Sequence, residues 1–94
     1  MPVQYIDKDL LNLIRERLWS ISNSSGITLE DIQDRTKFSY SQVYRVVRGT
    51  GNTSISAFIA VCQALEVQPS EIFNFNIPIP KYPPIRKLRK SKSR

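Results

Sequence analysis

The chain has 94 residues, 40% of them apolar, and a formal net charge of +6. That suffices for one domain with a single modest core, while apolar runs of only a few residues are too short to span a bilayer. Histidine is absent and Cys62 is the lone cysteine, which excludes an ordinary structural zinc site, an internal disulfide and the commonest general base. With no Gly-rich phosphate loop either, we expect no enzyme activity, no metal, no cofactor and no small-molecule substrate. The N-terminus lacks the basic-then-apolar layout of a secretory signal, so a cytoplasmic, nucleoid-associated location is expected, with no membrane partner.

In chain order, Asp7 caps a first helix whose Leu11, Ile14, Leu18 and Ile21 repeat at helical spacing. It should end in the Ser22–Gly26 cluster, with Gly26 in a left-handed C-terminal position. Thr28 caps a short second helix with Glu30 and Asp31 in its first turn and Ile32 facing inward. Ser39 followed by Gln42 matches a capping box and opens a third helix with the apolar stripe Val43, Val46, Val47. Tyr40, Ser41, Tyr44, Arg45 and Arg48 lie off that stripe. After the break at Gly49–Asn52, Ser54 caps a fourth helix with Ile55, Phe58, Val61, Cys62 and Leu65 on its inner side. Pro69 starts a brief fifth helix anchored by Ile72 and Phe73.

Beyond it, Asn74–Ile79 alternates polar and apolar residues, but Pro78 and Pro80 favour an extended segment over a central strand. Four prolines fall between positions 78 and 84, and the rest is basic and poor in apolar residues, so a partly disordered tail is expected. The expected organisation is a helical domain over 1–76 and a proline-containing basic tail over 77–94.

Charge is distributed unevenly. Residues 81–94 carry seven bases and no acid, whereas residues 1–80 carry seven bases and eight acids. Within that body, residues 35–65 hold Arg35, Lys37, Arg45 and Arg48 without a single acid. Such a stretch suits a surface facing polyanionic phosphate, although a chance gap in a largely apolar segment would look the same.

Two short helices separated by Lys37-Phe38-Ser39, the second presenting small polar and basic groups, describe a helix-turn-helix. Gly26-Ile27-Thr28, the Ser-capped helix closing at Arg48-Gly49, the apolar run Ile55–Leu65, Val67 and Glu71-Ile72-Phe73 follow one another in a familiar register. The run Ile27–Phe73 resembles the helix-turn-helix domain shared by lambda repressor, Cro and the XRE regulators. It departs from that pattern in having Leu29 for the usual Gln, Gln33 for a small residue, Lys37 for a turn Gly and Val47 for a common Glu. Its first helix is also longer.

The resemblance implies an all-α, five-helix fold that binds duplex DNA. Tyr40, Ser41 and Arg45 match base-reading positions, with Tyr44 beside them; Arg45 has the fork that fits guanine. Arg48, Thr50, Asn52 and Thr53 fall where the family grips the DNA backbone. Gln42 is divided between capping and phosphate contact, and Thr28 between an N-cap and a phosphate site at the second helix. Lys81, Arg86, Lys87, Arg89 and Lys90 would extend the phosphate contacts from the tail. Phe73, Phe75, Ile77 and Ile79 exceed the burial needs of the fifth helix and are the expected homodimer interface. The function expected is a sequence-specific transcriptional regulator of prokaryotic, phage or mobile-element origin. The alternative is a protein-interaction module, antitoxin or adaptor, on the same fold, favoured by the departures at Leu29 and Val47.

Overall fold

A computed structural model describes residues 5–85. Five helices follow in order: α1 Lys8–Ser25, α2 Leu29–Thr36, α3 Tyr40–Arg48, α4 Ile55–Ala64 and α5 Pro69–Ile72, with no strand among the described residues. α1 packs on α3 and α5, and α2 packs on α3 and α4.

Local chemistry sets each boundary. Asp7 accepts from the Leu10 amide at 3.0 Å and starts α1, while Gly26 ends it in the left-handed region with φ +79°. Thr28 and Asp31 form a reciprocal capping box on α2, and Ser39 and Gln42 form another on α3. α2 ends at Lys37, also left-handed at φ 66°, which explains why the turn there commonly calls for glycine. Gly49 ends α3 for a different reason: a Cβ there would lie 2.6 Å from the Arg45 carbonyl oxygen. Ser54 caps α4, and Pro69 occupies the first turn of α5.

Leu18, Ile32, Val43, Val47, Val61, Cys62 and Ile72 are fully buried at the centre of the core, with Leu29, Val46, Phe58, Ala64 and Leu65 around them. All three valines of the α3 stripe are inside. Burial raises the Cys62 thiol pKa to about 11, so the thiolate is suppressed. Leu29 and Val47 are core residues, so these two departures from the family pattern fill the interior.

The pattern misplaced one apolar residue. Ile55, expected on the inner side of α4, is 80% exposed on the first turn; the buried face begins at Phe58. Phe73 is an anchor only in part. It lies just past α5, half exposed, with its ring 5.2 Å from Phe58 and 6.2 Å from Phe75.

Candidate nucleic-acid interface

With Val43, Val46 and Val47 turned inward, α3 exposes Tyr40, Ser41, Tyr44, Arg45 and Arg48. Tyr40 and Tyr44 stand one helical turn apart with their rings stacked, centroids 6.4 Å apart and planes inclined by 30°. Ser41 and Arg45 form a parallel row beside them. Gln42 spends its carbonyl oxygen on the cap, accepting from the Ser39 amide at 3.0 Å.

The C-terminal end of α3 is held from within by a residue that periodicity did not single out. Arg15 is only 6% exposed, and its guanidinium donates to the carbonyls of Arg45 at 2.8 Å, Val46 at 3.0 Å and Gly51 at 2.7 Å. A cation at a helix C-terminus also opposes the helix dipole. Burial lowers the Arg15 pKa from its ordinary value, although an arginine so bonded keeps its charge at neutral pH. The backbone of Arg45 is thereby fixed while its side chain points outward.

Arg48 lies over the ring of Trp19, 4.6 Å from its centroid, so the tryptophan covers the core edge and supports a cation. Asn52 donates to the Tyr5 carbonyl at 2.7 Å, tying the N-terminal segment to the loop after α3. One shallow groove is lined by Gln42, Arg45, Asn52, Thr53 and Ser54; another by Trp19, Asn23, Thr28, Glu30 and Tyr40. Thr50 is exposed on the loop between α3 and α4.

Thr28 serves as the N-cap of α2, accepting from the Asp31 amide at 3.1 Å, and its own amide donates to Asp31 at 2.9 Å. The bond from the Thr28 amide, and after it the nearby Thr28 hydroxyl, hold the Asp31 carboxyl below its ordinary pKa. Arg35 departs from the basic face suggested by the acid-free stretch. It turns to the end of α4, donating to the Ala64 carbonyl at 2.8 Å and pairing with Glu66 at 2.9 Å.

The chain after α5 is fastened to α1 by Arg17, which donates to the carbonyls of Ile72 and Asn74, both at 3.1 Å, and covers the Phe75 ring at 5.2 Å. Phe75 is therefore half-buried inside the protomer, whereas Ile77 and Ile79 are 56% and 74% exposed. Lys81 is exposed. Arg86, Lys87, Arg89 and Lys90 lie outside the described residues.

The family model of the Cro/C1-type HTH DNA-binding domain matches residues 17–77. No curated protein matches the sequence. Among solved structures, the fold is similar to the wild-type restriction-modification controller protein C.Esp1396I, with a TM-score of 0.63 and 20% identity over 72% of this chain and 88% of that one. It is equally similar, at 0.63 and 20%, to a tyrosine-to-phenylalanine mutant of that controller, over 73% and 87% of the two chains. The chain belongs to the Cro/C1-type helix-turn-helix family and is a DNA-binding transcription regulator.

Proposed function

We propose that the protein binds specific duplex DNA as a homodimer, with α3 of each protomer in a major groove. The observation that carries this reading is the construction of α3. Its outer face groups Tyr40, Ser41, Tyr44 and Arg45, while Arg15 clamps the backbone beneath Arg45 from inside. Arg45 and Ser41 are assigned to base edges, with Tyr40 and Tyr44 beside them. Arg48, supported on Trp19, takes a phosphate, as do Thr50, Asn52 and Thr53 in the following loop, the free amide hydrogens of Gln42 and the hydroxyl of Thr28. The basic residues from Lys81 onward add phosphate contacts without sequence information.

Ile77 and Ile79 supply the dimer contact, with Phe73 at its edge and Phe75 supporting it from within the protomer. Leu29 and Val47 fill the core, so their departure from the family pattern gives no ground for preferring a protein-interaction module.

Selection of bound sites from a random duplex library tests the proposal. It should return an inverted repeat with half-sites about one helical turn, roughly 34–36 Å, apart. Ile79→Asp should reduce dimer formation and affinity for the full repeat together. Sites without symmetry, bound at full affinity by monomer, would refute the dimer; failure to enrich any duplex would refute specific recognition.

A further inference from the structure

The reading face of α3 is unusual in its chemistry, and that chemistry restricts which bases it can recognise. Major-groove readout of cytosine uses a carboxylate accepting from N4, and readout of adenine uses a carboxamide bonded to N6 and N7. α3 contains no acidic residue and no asparagine, and the carbonyl of its single glutamine is held in the cap of its own helix. Arg45 fits guanine. Arg48 is held over Trp19, and the Ser41 hydroxyl bonds to base edges without choosing between them. The rest of the outward face is aromatic: Tyr40 is 43% exposed and Tyr44 is 47% exposed.

On this basis, and resting on the DNA-reading role of α3 proposed above, we infer that Tyr40 and Tyr44 recognise pyrimidine 5-methyl groups, making thymines beside the Arg45 guanine the specificity determinants of each half-site. The thymine methyl is the one apolar group a base pair presents in the major groove, and it is read by apolar contact. The stack also sets the number of methyls. Carbon atoms in contact lie about 3.5–4.0 Å apart, so a methyl between the rings would need about 7–8 Å. The centroids are 6.4 Å apart. No methyl fits between them, and each ring offers its outer surface to a separate one. Two rings thus read two thymines per half-site.

Replacing every thymine of the best selected duplex by deoxyuridine removes these methyls and leaves every hydrogen-bonding group in place. Each methyl buried against a ring is worth about fourfold in affinity, so each half-site should lose about fifteenfold, and the full inverted repeat about two-hundredfold, with wild-type protein. Tyr40→Ala/Tyr44→Ala, altered at two half-exposed positions off the valine stripe, should bind the two duplexes within about twofold of each other. Tyr40→Phe/Tyr44→Phe keeps the rings and should retain the wild-type preference for thymine. Equal wild-type affinity for both duplexes would overturn the inference while leaving specific DNA binding intact. So would an unchanged preference in the alanine pair, or its loss in the phenylalanine pair, which would move recognition to the hydroxyls. If wild-type protein preferred no duplex over random DNA, the proposed function would fall first and this inference with it.

Discussion

Replacing Arg15 by methionine keeps an unbranched apolar stem in the core and removes all three bonds to the end of α3. A hydrogen bond to a charged group contributes about 1.5–3 kcal/mol, but three bonds from one guanidinium are not additive, and its burial already costs solvation. Each buried acceptor left unsatisfied costs about 1–3 kcal/mol; the carbonyls of Val46 and Gly51 would lose their donor, while that of Arg45 would keep the Gly49 amide. We therefore expect Arg15→Met to lose about 3–5 kcal/mol, a large part of the roughly 5–10 kcal/mol available to so small a domain. In urea, with a slope near 1–1.5 kcal/mol/M, the midpoint should fall by about 2–5 M. Arg15→Lys, with a single ammonium, should recover only part of the loss, because a point donor cannot span three carbonyls as a planar fork does. A loss below about 1 kcal/mol for Arg15→Met would refute the claim that this side chain holds the C-terminal end of α3.

Lys37→Gly should stabilise the fold by about 0.5–1 kcal/mol, because φ 66° strains a residue with a Cβ and glycine's extra freedom when unfolded offsets only part of the gain; a melting-temperature rise of about 2–8 °C is the readout. The Asp31 carboxyl is held below its ordinary pKa by Thr28, so its stabilising contribution is present above the unfolded value, near 3.9, and is lost as pH falls through the lower folded value. Thermal melts of Asp31→Asn should therefore show a smaller drop below pH 4 than wild type. Cys62 should resist thiol reagents in the native protein and react at the rate of unfolding, because its pKa is raised to about 11 and its side chain is fully buried. Deleting residues 81–94 should make the salt dependence of DNA affinity shallower by about 2–4 in log–log slope, measured on specific and random duplexes alike.

Much of this fold was legible because caps and apolar stripes are local. Asp7, Gly26, Thr28, Ser39, Ser54 and Pro69 each mark the boundary that the structure shows, and the valines of α3 fix which of its faces is outward. The misses share a cause: hydrophobic spacing reports where apolar groups recur, and it is blind to a buried cation or a helix end that overhangs the core. Arg15 lies on a buried face with Leu18 and Ser22, at spacings of three and four, but a guanidinium reads as exposed until its carbonyl partners are brought together from α3 and its loop. Ser22 is buried for a similar reason, its hydroxyl donating to the Ile27 carbonyl. Arg35 counted as part of a basic surface because its acceptors, Ala64 and Glu66, lie about thirty positions away in sequence. Ile55 satisfied the spacing of α4 and still faces solvent. Leu29, where the family usually has Gln, counted in favour of a protein-interaction module, while its gain, one more core side chain, was visible only in three dimensions.

The most direct test of the central claim, that α3 reads base edges, is the affinity of Arg45→Ala for the best selected duplex and for random duplex at one salt concentration. The side chain is exposed and apart from the valine stripe, so the fold should persist. Loss of about 1–3 kcal/mol on the selected site, with little change on random DNA, is the predicted result. Equal losses on both duplexes would reduce Arg45 to a phosphate contact and contradict the account.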